Sequence, residues 1–395
     1  MTVPSIEPDV AILGGGIAGL WALNRLRSLG FAALLFESCE LGGGQSINAQ
    51  GIIHGGIKYL PGGSEAGELA AMPDAWRDCL AGKGPVDLRD CRVLSDCIHL
   101  FSRDSLPARL LAALAGKQLR ARVDRLTRDD WPPALQATLR SGDVYRVDEP
   151  VLDMPSLLSA LAAPVLRHSY AIDRDIGRVQ LDGHRALLQL PGCTVRPRLL
   201  LLCAGTGNAA LLKQLGAKAP AMRRLPLQQA VVSGAGLPLL FAHCLGAQAT
   251  PRFTITSHRD EAGNTLWYLG GGLASESAGR GPAELIDRAR SELSDALPGL
   301  DLNGCRWATV PVDRAEGDSG TGRDTGQPFI APVPGVANAL AAWPTKLALA
   351  PALGERLERF LRETGIAPGA APDTSLLDGL PRPPIARPAW EAPGP

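Results

Sequence analysis

The fold is decided by residues 10–37, VAILGGGIAGLWALNRLRSLGFAALLFE, which contain an apolar strand, a glycine-rich turn, a helix and a second apolar strand ending in an acid. The spacing of Gly14, Gly16 and Gly19 is typical of a turn that binds the diphosphate of a dinucleotide, because glycine permits a tight turn, close backbone approach and close helix–strand packing. The diphosphate would lie at the helix N-terminus, where unpaired N–H groups favour an anion. Glu37 is expected to hold the ribose hydroxyls.

A purely structural glycine loop is the alternative reading of this stretch. Glycine turns are common where a strand meets a helix, but here both flanking strands and the terminal acid also match the dinucleotide pattern. We therefore predict a dinucleotide site, in which the carboxylate of Glu37 would repel a 2′-phosphate.

Composition narrows the class of protein. The 395 residues include 40 basic and 40 acidic side chains, and this balance gives no electrostatic reason to expect a nucleic-acid partner. No signal peptide precedes the first strand, and no apolar run reaches the roughly 18 residues of a membrane helix, so we expect a cytoplasmic protein. The eight cysteines lack the spacing of a zinc site, so we expect free thiols and no metal.

The order of elements distinguishes between two dinucleotides. In a simple nicotinamide-binding domain, further strand–helix–strand units would follow at once. Here the glycine-rich stretch 42–63 and a predicted helical region through residue 126 intervene, and the next fully apolar strand appears only in RLLLLCAGTGN at 198–208. Such a strand belongs in the middle of a parallel sheet, and a long insertion into that sheet is typical of two-domain flavoproteins. This order favours FAD.

Four strand-like segments between residues 226 and 312, interrupted by a helix at about 283–297, predict an antiparallel sheet. The predicted fold class is α/β, with a Rossmann-like FAD-binding domain on a central parallel sheet and a substrate domain on an antiparallel sheet with helices. The predicted boundaries are 1–60, 148–214 and 321–365 for the FAD-binding domain, 61–147 and 215–320 for the substrate domain, and 366–395 for a proline-rich C-terminal arm.

Four pieces in the same order resemble the D-amino-acid oxidase superfamily of FAD-dependent oxidoreductases. They are the N-terminal fingerprint, QSINAQGIIHGGIKYL at 45–60, AGTGN at 204–208 and WPTKLALAP at 343–351. The stretch IIHGGIKYL is similar to part of the FAD-dependent glycerol-3-phosphate and L-2-hydroxyglutarate dehydrogenases. The resemblance spans residues 8–355 and implies oxidation of a hydroxy acid, hydroxyalkyl phosphate or amino acid, by hydride transfer from CH–OH or CH–NH to flavin N5.

The resemblance also implies which residues contact FAD. They are Gly14, Gly16, Gly19, Glu37, Gln45, Ser46, His54, Gly55, Gly56, Ala204, Gly205 and Gly207, and the strand at 170–172 would cover the adenine. The segment Trp343–Lys346 replaces a glycine-rich loop of many relatives, so their named substrates are not transferred to this chain. No cysteine or histidine has a context that signals covalent attachment, and we expect non-covalent FAD.

The same glycine-rich segment carries two candidates for proton transfer, His54 and Lys58. An imidazole facing the flavin would titrate near neutral pH and suit proton transfer. Alternatively, His54 hydrogen-bonds a backbone carbonyl, and Lys58 and Tyr59 point to solvent or into the core.

Arg314 is the candidate for binding the substrate. The segment WATVPVDRAEG at 307–317 resembles the place where relatives carry an arginine that binds an anionic substrate, and a guanidinium matches either a carboxylate or a phosphate. Arg252 and His258 are secondary candidates. The alternative is that Arg314 is a surface arginine.

The closing segment predicts a helix that starts at Pro344, where the missing N–H of proline costs nothing. Pro344, Thr345 and Lys346 would then lie near the flavin, and the positive helix end with Lys346 would raise the flavin reduction potential. Lys346 as a solvated surface lysine is the alternative.

The electron acceptor, whether oxygen, a quinone or a carrier, is not indicated by the sequence. A basic amphipathic helix predicted at 103–126 has the character of helices that lie on membranes, or it covers the core with a solvated face. Two other functions stay open: a nicotinamide-linked dehydrogenase or reductase, and a flavin-binding protein without catalytic activity.

Overall fold

The structure is a computed structural model that describes residues 3–56, 66–103, 123–173, 177–246, 250–260, 262–318 and 326–391. Its strands in these ranges are β1 Ser5–Ile6, β2 Val10–Leu13, β3 Ala33–Glu37, β4 Val93–Ser95, β5 Ile98–Ser102, β6 Val123–Arg125, β7 Asp143–Val147, β8 Val151–Leu152, β9 Ser169–Ala171, β10 Arg178–Asp182, β11 Arg185–Leu190, β12 Cys193–Val195, β13 Leu199–Leu202, β14 Met222–Ser233, β15 Ala242–Cys244, β16 Phe253–Arg259, β17 Thr265–Gly270, β18 Arg306–Gly317, β19 Phe329–Pro332 and β20 Ala339–Trp343. Its α-helices are α1 Ile17–Ser28, α2 Ala66–Leu80, α3 Pro133–Thr138, α4 Met154–Ala162, α5 Asn208–Gln214, α6 Gly272–Glu276, α7 Pro282–Ala296 and α8 Ala350–Glu363.

The central sheet has six strands in the order β19-β20-β13-β2-β3-β9, and all but β19 run parallel. Strands β2 and β13 are buried along their whole length. Helices α1, α4 and α8 pack on one face, and a second sheet, β1-β12-β11-β10, packs on the other. Because both faces are covered, these strands are continuous apolar runs. The predicted α/β class and central parallel sheet are confirmed.

The second large sheet has eight strands in the order β18-β14-β17-β16-β15-β5-β7-β6. Strands β14 and β18 pair antiparallel over twelve residues, from Met222 opposite Gly317 to Ser233 opposite Arg306. One face packs against helices α6 and α7. We call the opposite face the Tyr268 face; its buried apolar side chains are Val231, Leu266, Tyr268, Val310 and Val312. The predicted antiparallel sheet and its interrupting helix, α7, are confirmed.

The predicted helical region through residue 126 is wrong in part. Helix α2 ends at Leu80, and strands β4 and β5 follow it. Strand β5 inserts between β15 and β7, where its backbone is paired on both sides. Most of the predicted amphipathic helix, residues 104–122, lies outside the described residues, but the last part of it forms the edge strand β6. None of the described helices combines the length and apolarity needed to cross a bilayer.

The C-terminal segment extends from residue 366 along the central sheet. Gly369 N donates to Asp9 Oδ2 at 2.9 Å, and Ala171 N donates to Pro381 O at 2.8 Å. An isolated parallel bridge then pairs Leu41 with Ile385: Leu41 N donates to Pro384 O, and Ala386 N donates to Leu41 O. Ala386 is buried. The domain boundaries proposed from the sequence stay predictions.

Candidate active site

The glycine turn after β2 is shaped by close backbone contacts. Gly14 has φ +106°, and a Cβ there would lie 2.6 Å from the Cα of Ala204. A Cβ on Gly19 would lie 1.9 Å from the carbonyl oxygen of Gly14. Gly16 precedes helix α1, whose first turn carries no acidic residue, so the positive end of the helix is available to an anion. This geometry fits a dinucleotide diphosphate.

Glu37 at the end of β3 is held beside that turn. Its Oε2 accepts a hydrogen bond from Gly15 N at 2.6 Å, and its Oε1 accepts from Ser38 N and Cys39 N at 2.7 and 2.8 Å. A carboxylate offers about four lone-pair positions, so one of them stays available for a ribose hydroxyl. Its placement fits the predicted ribose contact.

Gln45 and Ser46 connect the glycine turn to the second large sheet. The hydroxyl of Ser46 accepts from Ile17 N at 2.9 Å, at the first residue of helix α1. Gln45 Oε1 accepts from Ala315 N of β18 at 3.1 Å. The two predicted cofactor contacts therefore lie between the diphosphate turn and the antiparallel sheet.

The AGTGN turn lies directly against the glycine turn. The backbone of Ala204 lies against that of Gly14. Gly205 O accepts from the indole N–H of Trp343 at 3.0 Å. Asn208 is fully buried; its Oδ1 accepts from Ala204 N at 2.8 Å and its Nδ2 donates to Leu202 O at 3.1 Å. Asn208 therefore holds the turn in place through two hydrogen bonds, a role that the sequence analysis did not predict.

The segment that contains His54 is fastened to the chain around β8. Gly51 has φ +74° and is pressed against Leu152 O, and Gly55 N donates to the buried carboxylate of Glu149. His54 is 7% exposed. Its role in proton transfer stays a prediction, and Lys58 lies outside the described residues.

The predicted helix start at Pro344 is wrong. Strand β20 ends at Trp343, Thr345 has φ +61°, and a 3-10 turn at Leu347–Leu349 precedes helix α8. A left-handed conformation at a β-branched residue breaks any helix at that point, and Pro351 takes the first-turn position instead. The dipole of α8 therefore does not begin at Lys346.

Lys346 is nevertheless not a solvated lysine, because it is 7% exposed. Thr345 beside it is also buried, and its hydroxyl donates to Gln327 O at 3.1 Å. Pro344 O accepts from Lys346 N at 2.7 Å, which makes these residues one tight turn. The segment is thus a structured loop at the end of the central sheet.

Polar contacts join the segment after Ser46 to the Tyr268 face. The hydroxyl of Tyr268 lies 3.1 Å from Asn48 O and also bonds Gln229 Oε1. Gln50 Nε2 donates to Tyr268 O at 2.9 Å and to Thr254 O at 3.3 Å. Burial raises the pKa of Tyr268, so its hydroxyl stays protonated. Sequence reasoning missed these contacts; Gln229 and Tyr268 showed only as polar groups within apolar strands, and Asn48 and Gln50 as part of the glycine-rich segment.

Arg314 lies on the same face, beyond Val312 on β18, because alternate residues of a strand share a face. Its guanidinium and that of Arg223 both bond the carboxylate of Glu316, which is 2% exposed. Two guanidiniums on one carboxylate leave a net positive charge. The Nε of Arg314 is buried and has no hydrogen-bond partner among the described residues.

The two secondary candidates are separated by the sheet. Arg252 bonds Glu292 and Asp295 of helix α7, both at 2.8 Å, on the side opposite the Tyr268 face. This placement gives no support to Arg252 as a substrate-binding residue. His258 lies on the Tyr268 face, 6% exposed, and burial lowers its pKa to about 4, so it is neutral near pH 7.

Comparisons with known proteins agree with this geometry. The family model described as FAD dependent oxidoreductase matches residues 9–359. A probable FAD-dependent oxidoreductase of Pseudomonas aeruginosa, PA4991, is 43% identical over 393 residues, which cover 98% of each chain. Its crystal structure superposes with a TM-score of 0.84, at 39% identity and with 99% of each chain covered.

Two more distant structures share the fold. Glycine oxidase from Geobacillus kaustophilus has a TM-score of 0.68 at 17% identity, covering 94% of this chain and 98% of that one. L-α-glycerophosphate oxidase from Mycoplasma pneumoniae, solved with FAD bound, has a TM-score of 0.64 at 16% identity, covering 90% and 95%. At these identities the likeness concerns architecture.

Proposed function

This chain belongs to the DAO family of FAD-dependent oxidoreductases, and we propose that it oxidises a small anionic substrate that Arg314 binds beside the flavin. The family confirms two predictions, the cofactor FAD and the enzymatic class, and it disfavours a nicotinamide-linked enzyme. The finer resemblance to L-2-hydroxyglutarate dehydrogenases stays a prediction. When bound, the flavin supplies the hydride acceptor.

The proposed FAD site runs across both sheets. The glycine turn and helix α1 would bind the diphosphate, and Glu37 the ribose. The segment 45–56 and the turn at 204–207 would lie along the rest of the cofactor, with Pro344–Lys346 at its far side. The support is that these segments converge: the backbone of Gly14 touches Ala204, and the side chain of Gln45 accepts from Ala315 N of β18.

The observation that carries the substrate proposal is the Arg314–Glu316–Arg223 cluster. Its net positive charge lies on the Tyr268 face, one residue from the Ala315 N–H that holds Gln45. A carboxylate or phosphate would bind the Arg314 fork, while the CH–NH or CH–OH carbon extends toward the flavin. The distant relatives are named for glycine and glycerophosphate, small compounds that each carry an anionic group, a carboxylate or a phosphate.

Among the residues that the structure describes, two histidines are candidates for proton transfer in this proposal. His258 is neutral at pH 7 and lies on the Tyr268 face, and His54 is buried in the segment implied beside the flavin. An alcohol substrate requires a base, because its hydroxyl proton must leave as the hydride does. We propose His54 for that role, since its segment is continuous with the cofactor contacts.

The test is anaerobic bleaching of the bound flavin by a panel of amino acids, hydroxy acids and glycerol phosphates. With an active compound, Arg314→Ala should raise the apparent dissociation constant by about 100-fold, or about 3 kcal/mol, because a charge-assisted bidentate contact is lost. Arg314→Lys should restore only part of it.

Arg306→Ala is the matched control, since Arg306 lies on the same strand with a 75% exposed side chain. Equal reduction kinetics for the wild type and Arg314→Ala over a full concentration series would refute the role of Arg314. Failure of every compound to bleach the flavin would favour a flavin-binding protein without catalysis.

A further inference from the structure

The C-terminal segment ends on the Tyr268 face. The ring of Trp390 lies 5.0 Å from that of Tyr268 and 4.9 Å from that of His258, and it packs against the buried apolar side chains of this face. Of the described residues that form the apolar cluster there, Trp390 is the one that comes from outside the eight-stranded sheet.

Backbone bonds hold the arm that carries this indole. Leu41 N donates to Pro384 O at 2.8 Å, and Ala386 N donates to Leu41 O at 2.9 Å. Glu391 N donates to Pro388 O at 2.9 Å, which turns the chain next to Trp390. The indole is therefore placed by an ordered main chain, four residues after a buried alanine.

The position of Trp390 relates it to both halves of the proposed site. Tyr268, which Trp390 contacts, bonds Asn48 of the segment that follows Gln45 and Ser46. The same sheet face continues through Val310 and Val312 to Arg314. A substrate anchored at Arg314 and reaching along this face would meet the indole as its far boundary.

We propose that Trp390 forms a wall of the substrate pocket and limits the size of the group that the substrate carries away from its anionic end. This inference rests on the proposed function, because it assumes that the substrate lies on the Tyr268 face. An indole is large and rigid, so it excludes bulk at little cost in conformational entropy. Trp390 thus comes from a part of the sequence distant from the strands that form the rest of the proposed pocket.

The test measures how two carboxylates of different size, acetate and benzoate, perturb the visible spectrum of the FAD-loaded protein. Trp390→Ala should raise the ratio of the acetate to the benzoate dissociation constant at least about tenfold, because the benzoate ring takes the space of the indole. Trp390→Phe should give an intermediate ratio. Arg387→Ala, an exposed residue of the same arm, should keep the wild-type ratio.

The outcomes separate the two proposals. A wild type that binds both carboxylates and a Trp390→Ala variant that keeps their ratio within about twofold would overturn the wall alone. If neither carboxylate perturbs the spectrum of the wild-type flavin, the proposed anion site at Arg314 is overturned, and the proposed role of Trp390 is overturned with it. Should Trp390→Ala lose FAD, Trp390→Phe decides: an unchanged ratio there means that the residue is only structural.

Discussion

The glycine turn and the Tyr268 face are built by opposite means. The turn uses backbone contacts too close for any Cβ: Gly19 lies against the Gly14 carbonyl within one strand–helix–strand unit, and Gly14 lies against the backbone of Ala204. The Tyr268 face uses side chains from separate strands, and Tyr268 reaches Asn48 across 220 positions of sequence. Backbone chemistry does not depend on residue type except where only glycine fits, whereas side-chain chemistry changes with each substitution. The glycines of the turn should therefore tolerate almost no change, and substitutions on the Tyr268 face should alter the chemistry of that face while the turn keeps its shape.

The largest effect that this contrast predicts is at Gly14. Gly14→Ala should abolish FAD binding and lower the free energy of unfolding by at least about 3 kcal/mol, because the new Cβ meets the Ala204 backbone at positive φ. Flavin absorbance after purification and denaturant unfolding measure the two effects.

Gly183→Ala is its control, because Gly183 also has positive φ, +61°, but open space around it. Gly183→Ala should lower the free energy of unfolding by about 1 kcal/mol and still bind FAD. Equal losses in the two variants would mean that conformation alone, without the close approach, matters at Gly14.

A smaller effect is expected from pH at the Tyr268 face. The pKa of His258 is lowered from 6.5 to about 4 by burial, so unfolding takes up a proton at pH values between these two. The contribution of neutral His258 to the free energy of unfolding is therefore complete above about pH 6.5 and is lost as the pH falls toward 4. At pH 5 the loss is about 2 kcal/mol.

The measurement is denaturant unfolding of the wild type and His258→Gln at pH 7.5 and pH 5. The wild type should lose about 2 kcal/mol more than the variant between the two values. The same loss in both proteins would assign the pH dependence to other groups. It would also show that His258 is more hydrated than its burial indicates.

The smallest expected effect tests the proposed contact of Glu37 with the ribose of FAD. Glu37→Gln should weaken FAD binding about tenfold, since the amide keeps one acceptor but loses the charge that strengthens its bonds. Titration of the flavin-free protein with FAD gives the affinity, and Glu40→Gln, an exposed neighbour, serves as control. An unchanged affinity would remove Glu37 from the ribose site and leave the glycine turn as the main determinant.

These differences also explain what could be predicted from the sequence. Helix α1, strands β2, β3 and β13 and the four antiparallel strands follow patterns local to each segment, and the sequence predicts their type. Strands β14 and β18 extend beyond the predicted range 226–312, to Met222 and Gly317. Helix α8 was misplaced because WPTKLALAP offers two prolines, and only the backbone at Thr345 decides between them. The contacts of Tyr268, Glu316 and Trp390 depend on strand register and on the path of the arm, which no local pattern encodes.

Strand β18 also has a consequence for how such enzymes diversify. Its odd and even positions serve different neighbours: Ala315 packs into the core of the central sheet while its N–H holds Gln45, and Val310 and Val312 line the opposite Tyr268 face. Under the proposed function, substitutions at the even positions would alter substrate preference while the Ala315 N–H keeps its bond to Gln45. Related proteins could therefore change substrate while FAD binding is retained.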